Sequence, residues 1–320
     1  MAGDDAIVTR AAPRGVCVVD KPQGMTSFAV VKRVRRLLGV RKAGHTGTLD
    51  PLATGVLPVC VGEATKIAGL LQVDDKVYAA EARLGLRTDT MDSTGAVLEE
   101  RDPGAVTRDH VREALAGMGG EQQQVPPAYS AIRVGGRRAH ELARRGEAVE
   151  LAARTVTIHA LTLLAWEPPR VTFRVACSKG TYVRVIIDQL GQRLGVGATM
   201  TALRRERSGG FDLSRAVTLE QLERDPGAVS SGLVSMDRAL SHLPAVAVSA
   251  DQAAALRKGQ PVDPRVALPA GPCRVRTGEE LVALGAERGG RLWPRRVFAR
   301  EPAPDGAADG ATGPHPTTTR

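Results

Sequence analysis

The chain has 320 residues, 42% of them hydrophobic and 25% charged, with a formal net charge of +9. That is enough for a sizeable core, one large domain and one small one, and no apolar run reaches the ~20 residues of a membrane-spanning helix. Four scattered cysteines (Cys17, Cys60, Cys177, Cys273) argue against zinc and disulfides, and Met1 to Arg14 lacks the apolar stretch of a secretory signal, so a reducing cytoplasmic setting is expected.

In chain order, residues 1–13 read as a flexible leader and Val16 to Val19 suits a strand. Thr26 or Ser27 can cap a helix whose apolar positions, Val30, Val31, Val34, Leu37 and Leu38, recur at helical spacing. A loop rich in glycine and threonine follows. It holds one carboxylate, Asp50, just before the apolar run Val56 to Val61. Pro51 fixes the local angle and removes a donor. Gly47 and Gly55 permit close approach or positive φ. Such a loop holds Asp50 at a cleft rim with little freedom, although an Asx-turn or a helix N-cap uses the same residue types.

Ala64 to Leu71 reads as a helix and Tyr78 to Leu86 alternates like a strand. Thr107-Arg108-Asp109 is a cap signal for an amphipathic helix ending at Met118. Residues 122–136 are predicted to be a loop, because Pro126-Pro127 and Gly135-Gly136 break regular structure. Arg138 to Arg145 follows as a basic helical piece. Strand-rich runs Arg154 to Trp166 and Arg170 to Ser178 flank Pro168-Pro169, and Tyr182 to Leu194 reads as a helix. This interleaving predicts a mixed sheet with helices. Composition shifts near His242-Leu243-Pro244, which sets a large domain over 14–242 and a small module over 243–300. In the module, Ala250 to Leu256 looks helical, and Leu281 to Gly285 and Arg295 to Arg300 alternate like strands. Residues 301–320, rich in Pro, Gly, Ala and Thr, are predicted to be disordered.

The positive charge is clustered. Lys32, Arg33, Arg35, Arg36, Arg41 and Lys42 fall together, as do Arg133, Arg137, Arg138, Arg144 and Arg145, and then Arg204, Arg205 and Arg207. Such clusters favour a polyanionic partner through counterion release, and arginine suits phosphate. The alternative is a compositional bias toward arginine with no partner.

One window carries a resemblance. His45-Thr46-Gly47-Thr48-Leu49-Asp50-Pro51-Leu52-Ala53-Thr54-Gly55-Val56-Leu57-Pro58 resembles the catalytic signature of TruB-type tRNA pseudouridine synthases. Other segments match the same family in order: Val19 to Ser27, Lys76-Val77-Tyr78, Gly85 to Thr90, Gln124 to Ala131, Cys177 to Arg184, and Leu203-Arg204-Arg205. The likeness spans roughly residues 15 to 215.

The resemblance implies an α+β fold, with a mixed, largely antiparallel catalytic sheet flanked by helices and a small C-terminal PUA-like β-rich module. It implies isomerisation of uridine to pseudouridine at position 55 in the TΨC arm of tRNA, without a guide RNA or obligate protein partner; separately, no heptad or exposed apolar helix stands out in the sequence, so a monomer is expected. The reaction has no redox or phosphoryl-transfer step, so no metal and no cofactor are expected. Asp50 becomes the catalytic carboxylate and Arg184 its ion-pair partner. Tyr78 stacks on the target base and helps move a proton, while Tyr182 and Leu203 line the pocket. His45 fills the space that the flipped uridine leaves. Lys21, in a motif that braces the catalytic loop, is grouped with the substrate-binding residues. Residues 122–150 become a thumb-like insertion that clamps RNA, with Arg133 and Arg144 as contacts. Each of these residues has a plainer use in core, loop or surface. Three rival readings stand beside the resemblance. One is a non-catalytic RNA chaperone on the same scaffold, another a guide-dependent relative, and the third a carboxylate glycosidase, which lacks an obvious second acid near Asp50.

Overall fold

The computed structural model describes residues 12–72 and 75–300. They form two units, one from Ala12 to Leu240 and one from Ser241 onward. The expected leader, apart from residues 12 and 13, and the expected tail over 301–320 lie outside the described residues.

The first unit is built on strands. β1 (Gly15–Lys21) carries the apolar run Val16 to Val19 and is buried nearly throughout. α1 (Ser27–Leu37) follows, with Thr26 Oγ1 accepting from the Ala29 N–H at 3.1 Å as its N-cap. Val30, Val31 and Val34 turn inward while Lys32, Arg35 and Arg36 stay exposed, as the helical spacing predicts. β2 (Ala43–His45), the Asp50 loop and β3 (Thr54–Val61) come next. A 3-10 turn (Gly62–Ile67) and α2 (Ala68–Leu71) stand where one helix is expected. β4 (Lys76–Leu84) alternates, and the hairpin β5 (Leu86–Thr88) with β6 (Val97–Glu100) leads to α3 (Arg108–Ala116). Thr107 and His110 close a capping box at the start of α3.

β7 (Gly120–Gln124), the small pair β8 (Arg133–Val134) and β9 (Arg137–Arg138), and α4 (Ala139–Ala143) lie in or beside the insertion. β10 (Arg154–Glu167), β11 (Arg170–Cys177), α5 (Val183–Arg193), β12 (Ala198–Ser208) and β13 (Phe211–Asp212) complete the sheet. Short helices α6 (Leu219–Arg224), α7 (Pro226–Ser231) and α8 (Met236–Ala239) end the unit.

The nine-stranded sheet runs β1-β3-β12-β4-β11-β10-β7, with β2 on β3 and β13 on β12. Its ladders are antiparallel except β12 on β3, which is parallel, so the sheet is mixed and largely antiparallel as expected. At that parallel step Gly55 lies opposite Arg205 with φ +97°, and a Cβ at residue 55 would collide with the Arg205 carbonyl oxygen. Only glycine allows both the angle and the approach. The core lies along the sheet and includes Val19, Leu57, Val59, Phe173, Val175, Ile186, Ile187 and Leu190.

β7 and β12 depart from the sequence expectation. The predicted loop over 122–136 begins with the end of an edge strand, because Arg154 to Ile158 of β10 pair with Gly120 to Gln124. Its polar sequence hid it, since only Gln124 of the five residues is buried. The central strand β12 was not predicted. Its inward positions include Thr199, Arg205 and Ser208, which erase the apolar alternation of a half-buried strand.

The second unit holds β14 (Ala245–Ala247), α9 (Ala250–Arg257), β15 (Cys273–Thr277), β16 (Glu280–Arg288) and β17 (Arg291–Val297). The strands lie in sequence order, with β14 parallel to β15 and the rest antiparallel. Val246, Leu256, Val275, Val282 and Leu292 belong to its own core. The runs expected over 281–285 and 295–300 fall within β16 and across the end of β17, and β15 was not foreseen. Among the described residues no helix is long and apolar enough to cross a membrane.

Candidate active site

A cleft of about 680 Å³ is lined by the Asp50 loop, β4, residues 130–132 of the insertion, the turn before α5, and β12. Asp50, Tyr78, Arg184, His45, Tyr182 and Leu203 all border it. Arg133 and Arg144 do not. Both are exposed, and Arg133 donates to the Gly136 carbonyl at 3.0 Å within its own hairpin.

Asp50 Oδ2 and Arg184 Nη2 are 3.0 Å apart, with the Asp50 side chain 38% exposed and that of Arg184 4%. The carboxylate therefore faces the cleft while its partner lies beneath it. Arg184 sits in the first turn of α5, where a cation opposes the helix dipole by ~0.3–1 kcal/mol. Nearby acceptors offset this. Nη1 donates to the Thr90 carbonyl and Nη2 to the Tyr129 carbonyl, both at 2.9 Å, and Asp92 Oδ2 lies 3.5 Å from Nη1. Asp92 is itself buried and held, its Oδ1 accepting from Thr90 Oγ1, Thr94 N and Thr94 Oγ1. One buried guanidinium is thus fixed by two carboxylates and two carbonyls, a geometry that restricts its rotation.

The backbone beside Asp50 is fixed at several points. Ser27 Oγ accepts from Leu49 N at 2.8 Å and donates to Leu49 O at 3.0 Å, so α1 grips the residue before Asp50. Pro51 O accepts from Gly24 N at 2.8 Å and, more weakly, from Lys21 Nζ at 3.4 Å. Lys21 Nζ also donates to Met25 O at 2.7 Å and Pro22 O at 2.8 Å. The Lys21 side chain, grouped from the sequence with the substrate-binding residues, is fully buried, and its ammonium is occupied by backbone carbonyls. Burial brings its pKa down to about 8, with Asp50 opposing and Arg205 adding to the drop.

The floor of the cleft belongs to the sheet. Tyr78 on β4 is 8% exposed. Burial raises its phenol pKa, while the adjacent Arg205 guanidinium pulls it down. Arg205 on β12 is 1% exposed and donates from Nε to Val56 O at 2.7 Å and from Nη2 to Gly47 O at 3.1 Å. Leu203, two residues earlier on the same strand, presents its side chain beside it. His45 ends β2, and its Nδ1 accepts from Gly47 N at 3.3 Å. Burial first, then Arg205, holds the imidazole below its ordinary pKa, so it is neutral at pH 7.

Tyr182 borders the far wall. The Gln124 side chain holds its backbone on both sides, accepting from Tyr182 N at 2.7 Å and donating to Tyr182 O at 3.2 Å. The Arg154 guanidinium lies over the ring, 4.7 Å from its centroid.

Ser27 stands in the segment expected to brace the catalytic loop and does so here, whereas the sequence reading gave no role in this site to Asp92, Gln124, Arg154 or Arg205. Asp92 carried a usable signal, an acid among Thr88, Thr90 and Thr94 in a turn-rich stretch. Arg205 stood in a quoted motif without a role, and nothing local marks an arginine as buried.

Three family profiles match the chain. The N-terminal domain of TruB family pseudouridylate synthases matches residues 35–183. A tRNA pseudouridylate synthase B C-terminal domain matches 184–241, and a C-terminal domain of pseudouridine synthase II TruB matches 244–298. A protein of Pseudomonas aeruginosa (strain UCBPP-PA14) named tRNA pseudouridine synthase B is 46% identical over 291 residues, covering 89% of this chain and 95% of that one. One of the same name from Syntrophotalea carbinolica is 50% identical over 235 residues, covering 73% and 77%. Among solved structures, a Cbf5-Nop10-Gar1 complex aligns with TM-score 0.70 and 30% identity over 89% of this chain and 85% of that one. An H/ACA RNP bound to a substrate RNA containing 2'-deoxyuridine aligns with TM-score 0.67 and 26% identity over 94% of each.

Proposed function

The chain belongs to the TruB family of pseudouridylate synthases and is an isomerase of that class, and we propose that its substrate is the uridine at position 55 in the TΨC arm of tRNA. The observation that carries the site is the Asp50–Arg184 pair at 3.0 Å at the border of a cleft. The bond from C1′ to N1 breaks, the uracil turns, and C5 bonds to C1′ while a proton passes from C5 to N1. Asp50 supplies a carboxylate at the electron-poor sugar carbon, and Arg184 keeps that carboxylate charged and aimed. Tyr78 offers a ring face to the base and a hydroxyl for the proton. A uridine inside a folded arm must first leave its stack, at a cost of a few kcal/mol. His45, neutral and at the end of β2, fills the space it vacates.

Tritium release from C5-labelled uridine in tRNA tests the reading. The wild-type chain should release label from position 55, and Asp50→Asn should not. Release from another position would overturn the site, and full activity of Asp50→Asn would overturn the role.

A guide-dependent enzyme is the second reading, favoured by the likeness to the Cbf5 and H/ACA RNP structures. Relatives named tRNA pseudouridine synthase B are more similar, and the one from Pseudomonas aeruginosa matches over 95% of its length, which supports the stand-alone enzyme. Activity of the purified chain alone on a tRNA transcript separates the two.

A further inference from the structure

Two buried arginines serve the cleft, and their charges are met differently. Arg184 ends against Asp50 and Asp92. Arg205 donates to two carbonyls, Val56 O and Gly47 O, and among the described residues no carboxylate forms an ion pair with it. A guanidinium withdrawn from water without a paired carboxylate is costly to fold around.

Its position suggests what it serves. Arg205 on β12 is the direct cross-strand partner of Tyr78 on β4, so both side chains leave the sheet on the face that lines the cleft. On its other side Arg205 pairs with Gly55, and its guanidinium reaches Gly47 O and Val56 O, which bracket Asp50 in sequence. One side chain thereby ties both ends of the Asp50 loop to the strand register that carries the phenol. The charged groups near the phenol are Arg205, Asp50 and, when ionised, Cys177. Of these Arg205 alone favours negative charge on the phenol oxygen.

We infer that Arg205 is a positioning residue for Tyr78, holding the phenol oxygen at a fixed place relative to Asp50 so that it can pass the proton from C5 to N1. The inference rests on the reading of Tyr78 given above. In that step C1′–N1 breaks and C1′–C5 forms. The phenol oxygen takes the proton from C5, and a proton from the same hydroxyl goes to N1. Tyr78 ends as it began, and Arg205 neither gains nor loses a proton.

A double-mutant cycle tests this, using single-turnover pseudouridine formation at saturating tRNA with dissociation constants measured in parallel. Arg205→Met should slow turnover about 100-fold and weaken tRNA binding less than about threefold. In the Tyr78→Phe background the same change should cost less than about threefold. Arg205→Lys, which keeps a cation, should recover part of the loss, and carries the cycle if the methionine variant does not fold. An equal loss in both backgrounds, or a rate loss matched by lost binding, overturns the inference. A wild-type chain that forms no pseudouridine would instead defeat the functional reading.

Discussion

The Asp50 loop and the segment from residue 130 to 150 differ in where their polar groups find partners. The loop bonds to distant sequence: Leu49 to Ser27, Pro51 to Gly24, Gly47 to Arg205, and Asp50 to Arg184. The second segment bonds mostly to itself. Arg133 donates to Gly136, Arg137 pairs with Glu147, and Ala139 N donates to Ile132 O. Long-range bonds fix a group against the whole sheet, whereas short-range bonds leave a segment free to move as a piece. Under the proposed function this difference divides the labour, with the loop setting the chemistry and the insertion following the RNA surface.

Substitutions that test this division should rank by effect. Asp50→Asn is expected to cost on the order of 10⁴-fold in single-turnover rate, with tRNA affinity nearly unchanged. Arg184→Met, which unpairs Asp50 and Asp92 together, should cost about 10²–10³-fold in rate in the same assay. Ser27→Ala strands both backbone groups of Leu49, so thermal or denaturant unfolding should show a loss of ~1–3 kcal/mol, with rate falling more than binding. If Ser27→Ala spares the rate, the loop is not held from α1 as argued.

Lys21 gives a pH signature of the same bracing. Its pKa falls from 10.5 in the unfolded chain to about 8 in the fold, so between those values the folded state binds fewer protons and this residue makes folding more favourable as pH rises. Lys21→Met should flatten that slope in unfolding experiments across pH 8 to 10.5. The smallest effect belongs to the insertion. Arg137→Gln with Arg144→Gln should leave the saturated rate intact and reduce the slope of log affinity against log salt by ~0.7–0.9 for each phosphate that is no longer neutralised. A large rate loss there would erase the contrast between the two regions.

The fold was legible wherever apolar residues kept a period. α1, α5, β4 and β11 announced themselves, and the mixed sheet followed from their alternation. β12 and β7 did not, because burial of Arg205, Thr199 and Gln124 is decided by distant partners rather than by local pattern. The site divides the same way. The loop around Asp50 was visible from its turn chemistry, and the motif likeness supplied Arg184 and Tyr78, which lie beside Asp50 and beside the same cleft. Gln124 and Arg205 act on segments far away in the chain and leave no local trace, and Asp92 shows only as an acid in a turn-rich stretch. Their part in the site emerges only once the sheet is assembled.

The four cysteines are all reduced and buried: Cys17, Cys60 and Cys177 in the nine-stranded sheet, Cys273 in the four-stranded one. Burial lifts Cys17 and Cys60 to about 12 and Cys177 to about 11, so near neutrality these sulfurs hold their protons and react slowly. Alkylation therefore waits for opening. Mass-resolved thiol labelling along a denaturant gradient would report each sheet with its own native probe, and would reveal whether the small C-terminal unit melts ahead of the large one without any engineered dye.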